Sequence, residues 1–146
     1  MGHGTKPMHV LTPGESLDRM VSSTHLALVL FGSDACMPCH AIRQKIERWL
    51  SEPEGASVAA IYVPMEECLE LAAQMGVLSV PTVRLYVEGR PAVEGAGHFS
   101  LDEILAKAER YEDLISRQDR SMWWPEDYDG GDGPALRADA AIASHA

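Results

Sequence analysis

LALVLFGSDACMPCHAIRQKIERWL, residues 26–50, combines a strand signal, a loop with two cysteines and a helix signal. Residues 26–31 are a continuous apolar run, which is typical of a strand buried on both faces of a mostly parallel sheet. After the loop, apolar residues recur at the spacing of one helix face from Ile42 to Leu50. The two cysteines therefore lie between a buried strand and an amphipathic helix.

The cysteines, Cys36 and Cys39, are expected to differ in exposure and role. The helix is predicted to begin at or just after Cys36, where free N–H groups and the helix dipole favour a thiolate. Because the thiolate is the nucleophile of disulfide exchange, Cys36 is expected to attack a disulfide. Cys39, one turn further and more buried, is expected to resolve the mixed disulfide. Pro38 suits the first turn, where its missing N–H would have no helical partner.

A metal site and a structural staple are the two other roles open to the pair. Zinc needs about four Cys or His ligands, usually from a second CxxC or a spaced His pair, and the sequence has neither. His40 is expected to point away from the sulfurs, and Cys68 is alone on a later helix. A structural disulfide would close a ring too small to remove much chain entropy. Redox exchange is favoured, with no metal and no cofactor beyond the cysteine pair.

The rest of the chain continues the alternation of strands and helices. Residues 57–63 predict a second buried strand, and residues 66–77 predict a short helix that stops at Gly76. Residues 82–97 predict two strands joined by a tight turn at positions 88–89, which makes that pair antiparallel.

Capping signals mark the first and last helices. Thr12 is predicted to cap a first helix, with Pro13 in its first turn and Glu15 reaching back. Ser100 and Glu103 repeat a capping box before the last helix. The predicted order β-α-β-α-β-α-β-β-α gives an α/β fold, a mixed central sheet with helices on both faces in three layers.

Composition limits the classes of partner. The formal net charge of −10 does not provide the clustered basic residues that nucleic-acid binding needs. The longest apolar run is too short to span a bilayer, and the N-terminal residues do not resemble a secretory signal. We therefore expect a cytoplasmic protein that binds neither nucleic acid nor membrane.

The predicted organisation is one domain with two tails. Residues 1–8 have no periodicity and predict a flexible arm, and residues 9–117 hold all the predicted elements. Residues 118–146 are rich in Asp, Gly and Ala and predict an acidic, largely disordered tail. Within it, Trp123 and Trp124 are expected to dock on the protein itself or on a partner.

Four features occur together in an order that is known from one family. They are C-M-P-C at residues 36–39 on the strand-to-helix junction, GVLSVPT at residues 76–82, Gly89 in the hairpin turn and Gly97 before the last helix. On these features, the chain resembles the thioredoxin family of thiol-disulfide oxidoreductases over residues 9–115. The resemblance implies the family's mixed sheet flanked by helices.

The resemblance also implies roles for single residues. Cys36 would be the exposed nucleophile and Cys39 the resolving thiol. Pro81 would be a cis-proline beside the pair, and the backbone of Val80 would pair with an extended substrate segment. On local sequence alone, an ordinary proline at the start of a strand is the preferred interpretation of Pro81. The residues implied to contact substrate are Met37, Pro38, Val80, Pro81 and Gly97.

The chain departs from the family at several positions around the cysteines. Family members usually have a Trp before the first cysteine, a buried Asp in the preceding strand and a Lys on the neighbouring strand. This chain has Ala35, Leu30 and Tyr62 there, with Met37 in place of a Gly and Gly32 in place of a Trp. In the family, the buried Asp would take a proton from the resolving thiol, which must ionise before it attacks. Because Leu30 cannot take this proton, slower resolution and a longer-lived mixed disulfide are expected.

The predicted function is thiol-disulfide exchange, more in the reducing than in the oxidising direction. The implied partners are a disulfide-containing protein client and a thioredoxin reductase or other thiol donor, and the chain is expected to be a monomer. Two alternatives stay open. One is a thioredoxin-like binding or assembly module with little turnover, and the other is a protein disulfide oxidase or isomerase.

Overall fold

The structure is a computed structural model that describes residues 5–122. It contains a five-stranded sheet and four α-helices within that range. In chain order the elements are β1 (His9–Val10), α1 (Leu17–Ser22), β2 (Leu26–Gly32), α2 (Met37–Leu50), β3 (Ala59–Pro64), α3 (Leu69–Gln74), β4 (Thr82–Val87), β5 (Arg90–Ala96) and α4 (Leu101–Met122), with a 3₁₀ turn at Pro53–Gly55. This order confirms the predicted alternation and the α/β class.

The sheet has the strand order β1-β3-β2-β4-β5, with β2 in the centre. β2 pairs in parallel with β3 and antiparallel with β4, which confirms a mixed sheet. All residues of β2 are buried, as its unbroken apolar sequence predicts. β2 therefore ends at a buried residue, Gly32, and the sheet fixes the position from which the cysteine loop begins.

The two faces of β2 pack against different helices. Val29 and Phe31 belong to a core cluster that includes Leu17 of α1 and Ala72 of α3. Because side chains alternate along a strand, Leu30 and Gly32 face the opposite side, where Gly32 meets Cys39 of α2. The part of α4 that precedes Asp113 packs on the same side as α2, where Trp49 Nε1 donates to the Glu109 carboxylate at 2.8 Å. This confirms the three-layer arrangement.

The prediction that α1 begins at Thr12 was wrong. The Glu15 carboxylate does accept the Thr12 N–H at 2.8 Å, but the two residues close a turn instead of a helix. Proline followed by glycine at positions 13 and 14 favours such a turn. The helix begins at Leu17, after Ser16, whose Oγ accepts the Arg19 N–H at 3.2 Å.

The predicted hairpin and the last capping signal are confirmed. Glu88 and Gly89 have φ values of 53° and 81°, the positive angles that a two-residue type I′ turn needs. Ser100 Oγ accepts the Glu103 N–H at 3.2 Å at the start of α4. Both signals depend on neighbouring residues only, and both hold in the folded chain.

The chain divides into a compact unit that ends at Glu112 and a second unit that begins at Asp113. In the second unit, the structure describes the C-terminal part of α4 and an ion pair between Asp113 and Arg117 at 2.8 Å. Most of the predicted tail, with Trp123 and Trp124, lies outside the described residues. The predicted bounds 1–8, 9–117 and 118–146 stay predictions.

Candidate active site

Cys36 and Cys39 form a disulfide at the N-terminus of α2, with their Cα atoms 5.3 Å apart. Cys36 is the N-cap, and its Sγ accepts the Cys39 N–H at 3.2 Å. Cys36 is partly exposed, whereas Cys39 is 1% exposed. The predicted start of the helix and the predicted difference in exposure are both confirmed. Met37 and Pro38 lie between the cysteines and are exposed.

The loop before Cys36 is held at Asp34. The Asp34 N–H donates to the Glu66 carboxylate at 2.6 Å, and His40 Nε2 donates to the Asp34 carbonyl at 2.9 Å. Two backbone hydrogen bonds to the Glu66 carboxylate, first the one from the Asp34 N–H and then one from the N–H of Glu66 itself, hold the pKa of Glu66 below its usual value. The first cysteine is thus carried by a loop with anchors from α2 and from the segment after β3.

Three elements meet around the buried sulfur of Cys39. A Cβ added at Gly32 of β2 would lie 3.2 Å from Cys39 Sγ and 2.9 Å from Cε1 of Tyr62 in β3. Tyr62 is 4% exposed, so its ring fills the space that a larger side chain at position 32 would take. The edge of the Tyr62 ring, from the neighbouring strand, therefore lies beside the buried sulfur of Cys39.

Arg43 of α2 lies over that ring. Its Cζ is 4.6 Å from the centroid of the Tyr62 ring, and its Nε donates to the Glu47 carboxylate at 3.2 Å. Burial raises the pKa of Tyr62, with smaller contributions in the same direction from Glu66 and Asp34, and the charge of Arg43 opposes them. The phenol is therefore neutral at physiological pH.

Val80, Pro81 and Gly97 come together at the sheet edge where β2 ends. The Val80–Pro81 peptide bond is cis. Pro81 immediately precedes Thr82, which pairs with Phe31 near the end of β2 and with Ala96 near the end of β5. Gly97 follows with a φ of +69°, and a Cβ added there would meet no atom within 4 Å. The pairing thus assembles these three residues at the edge from which the cysteine loop leaves.

Two large apolar side chains are exposed in the segments that form this edge. Met37 is 74% exposed between the cysteines, and Leu78 is 91% exposed in the loop before Pro81. Leu78 was not identified from the sequence, although a leucine in a loop between Gly76 and Pro81 has no periodic partner. Arg43 was also missed, and its position one turn after Cys39 could have identified it.

Cys68 lies away from this arrangement. It is the N-cap of α3, is 5% exposed and has no disulfide partner. Burial first, and then the charge of Glu67, raise the pKa of its thiol. A cavity of about 300 Å³ beside it is lined by residues that include Thr12, Glu67 and Gln74. These features are those of an unreactive buried thiol.

Within residues 5–122, no group of three or more His, Cys, Asp or Glu side chains has the arrangement of a metal site. In the same range, no helix has both the length and the apolar character needed to cross a membrane.

Comparison with known families tests the resemblance directly. The sequence model of the family described as Thioredoxin matches residues 8–110. The chain belongs to the thioredoxin family. Among thioredoxin-family relatives, a thioredoxin-like protein of Fusarium culmorum is 31% identical over 90 residues, which cover 60% of this chain and 74% of that protein.

Solved thioredoxin structures share the fold. A mutant thioredoxin from Halobacterium salinarum is 27% identical, with a TM-score of 0.60 over 74% of this chain and 95% of the other. Thioredoxin f from spinach chloroplasts has a TM-score of 0.63 at 19% identity, over 74% and 96% of the two chains, and shows the fold alone. Family, fold and the Cys36–Cys39 disulfide together support a thiol-disulfide oxidoreductase.

Proposed function

We propose that the protein reduces a disulfide in a protein client, with Cys36 as nucleophile and Cys39 as resolving thiol. The observation that carries the proposal is the asymmetry of the pair. Cys36 is partly exposed and caps α2, where the helix dipole favours its thiolate, and Cys39 is 1% exposed. Only Cys36 is accessible to a large substrate.

The reaction proceeds by two exchanges. The Cys36 thiolate attacks one client sulfur, the client disulfide breaks, and the leaving client thiolate takes a proton from water. Cys39 then loses its proton and attacks Cys36 Sγ, which releases the second client thiolate and forms the Cys36–Cys39 disulfide. Two electrons pass from the chain to the client. A thioredoxin reductase or another dithiol donor returns two electrons, and neither a metal nor another cofactor takes part.

The client is proposed to lie along the edge formed by Val80, Pro81 and Gly97. Val80 offers its backbone to an extended client segment, as in strand addition, and the open space at Gly97 leaves room for it. Met37, Pro38 and Leu78 would contact apolar client side chains on either side. A cytoplasmic location and a monomeric state stay predictions.

Trapping tests the assignment of the two thiols. In Cys39→Ser, the mixed disulfide has no resolving thiol. A protein client should therefore accumulate in a disulfide with Cys36, with one client molecule bound per chain. Cys68→Ser is the matched control and should reduce the client at the rate of the unaltered chain. Accumulation on Cys36→Ser, or client reduction by that variant, would refute the proposal.

A binding or assembly role is the second candidate, and Leu30 favours it. Leu30 is 0% exposed on the face of β2 that meets α2, and it cannot accept the proton of Cys39. Slow resolution would prolong each client complex and suit a dedicated partner. If the double variant Cys36→Ser and Cys39→Ser keeps full biological activity, the binding role replaces the enzymatic one. Capture of many unrelated proteins by Cys39→Ser would contradict a dedicated partner.

A further inference from the structure

The resolving thiol faces an unusual set of neighbours on the sheet. β2 presents Leu30 and Gly32 to α2, and neither residue can give or take a proton. The space beside Gly32 is occupied by Tyr62, whose ring edge and Cys39 Sγ lie within 3.2 Å of the same point. The central strand therefore contributes no charge that could assist ionisation of Cys39.

A positive charge on α2 lies over the Tyr62 ring that flanks Cys39. Arg43 is four residues after Cys39, so the two side chains share one helix face with Cβ atoms about 5–6 Å apart. Long helical side chains lean toward the helix N-terminus, which directs Arg43 toward the turn of Cys39. The Tyr62 ring holds the guanidinium there, with Cζ 4.6 Å from the ring centroid.

We infer that Arg43 promotes ionisation of Cys39 during resolution, and that Tyr62 is the positioning residue that holds Arg43 in place. This inference rests on the proposed function, because resolution is the second exchange of that reaction. A nearby cation favours a thiolate over a thiol. The Arg43 charge also acts on the Tyr62 hydroxyl, whose pKa it lowers against the effect of burial.

Other charges around the pair set the size of the effect. Glu47 accepts a hydrogen bond from Arg43 Nε at 3.2 Å and partly offsets its charge, but it lies one turn further from Cys39. Besides Arg48, which serves as the control below, other charged or titratable groups on the surrounding elements include Asp34, His40, Glu66, His98, Glu109 and the Lys45–Asp102 ion pair at 2.7 Å. These groups are unchanged in the variants below, so a comparison of variants isolates Arg43.

The resolution step can be followed on the protein alone. Reduced protein carrying Cys68→Ser is mixed with less than one equivalent of a chromogenic aryl disulfide. Attack by Cys36 breaks that disulfide and releases one coloured aryl thiolate. Attack by the Cys39 thiolate on Cys36 Sγ then releases the second and forms the Cys36–Cys39 bond. The rate of the second release is measured as a function of pH.

Arg43→Gln should raise the midpoint of this pH–rate profile by about one unit, the low end of the range for a nearby opposite charge. Tenfold less thiolate, partly offset by a more nucleophilic sulfur, slows the second release about threefold near neutral pH. At alkaline pH, where the Cys39 thiol is ionised in both proteins, the order should reverse and the variant should be about threefold faster, because its sulfur is more nucleophilic. Arg43→Lys should restore part of the rate, and Glu47→Gln should shift the midpoint in the opposite direction.

Arg48→Gln is the matched control, since it removes the same charge from an exposed position on the same helix. It should leave the profile unchanged. An Arg43→Gln profile identical to that control, or slowed equally at every pH, overturns the inference. If no second thiolate is released by the chain with Arg43 and Tyr62 intact, the proposed function fails instead.

Variants of Tyr62 separate the ring from its hydroxyl. Tyr62→Phe keeps the ring under Arg43 and should keep the profile. Tyr62→Leu removes the ring and should shift the midpoint as far as Arg43→Gln does, with no additional shift in the double variant. A shift in Tyr62→Phe as large as that in Arg43→Gln assigns the effect to the hydroxyl and overturns the role of Arg43.

Discussion

A single added methyl group at Gly32 should disturb the packing around Cys39. In Gly32→Ala, the new Cβ would lie 2.9 Å from Tyr62 Cε1, 3.1 Å from Cys39 Cβ and 3.2 Å from Cys39 Sγ. All three atoms belong to buried residues. The nearest is the edge of a rigid ring with Arg43 on its face, so the clash cannot be relieved by rotating a flexible chain end.

The expected cost follows from two opposing effects. Overpacking of a core costs about 1–3 kcal/mol, because the ring or the strand must shift. The methyl group also restricts the unfolded chain, which returns about 0.4–1 kcal/mol. Gly32→Ala should therefore lower the free energy of unfolding by about 1–2 kcal/mol. At a typical dependence on urea, the midpoint falls by about 0.5–1 M.

Urea unfolding of the oxidised protein measures this difference directly. Gly14→Ala is the matched control, because a Cβ added there meets no atom within 4 Å. The control should be neutral or slightly stabilising. Equal or greater stability of Gly32→Ala relative to that control would refute the argument that Tyr62 and Cys39 fill the space beside Gly32.

Three further predictions concern other parts of the fold. The depressed pKa of Glu66 gives stability that is present above the ordinary carboxyl pKa and is lost as pH falls through the folded value, so acid titration should destabilise Glu66→Gln less than the unaltered chain. Native Cys68 should react with iodoacetamide far more slowly than reduced Cys36, and urea should remove the difference. Ser16→Ala should cost about 1 kcal/mol in thermal or urea unfolding, through loss of the bond to the Arg19 N–H.

Much of the fold could be predicted because its signals are local. The unbroken apolar run of β2 and the Glu88–Gly89 turn depend on neighbouring residues, and both are present as expected. The predicted start of α1 was wrong because two adjacent sequence signals competed. A Pro-Gly pair closes a turn at Thr12, and Ser16 then caps the helix.

The features of the site also divide into those set by neighbouring residues and those set by contacts between distant elements. The roles expected of Cys36 and Cys39 follow from a strand, a loop and a helix start that are contiguous in sequence. The contact between Gly32, Tyr62 and Arg43 joins three elements, and its distances depend on the register of β2 with β3 and on the packing of α2. A pattern along the chain identifies which residues depart from the family, but not which side chain fills the space that they leave.

The reduction potential of the Cys36–Cys39 pair is the most direct test of the claim that the protein is a reductant. It can be measured by equilibrating the protein with glutathione or dithiothreitol redox buffers and determining the fraction of chains that carry the Cys36–Cys39 disulfide. For this two-electron couple, a change of about 30 mV alters the equilibrium tenfold. A reductase is predicted to have a potential near −270 mV, roughly that of a reducing dithiol, whereas a value of about −180 to −120 mV would assign the pair to oxidation or isomerisation.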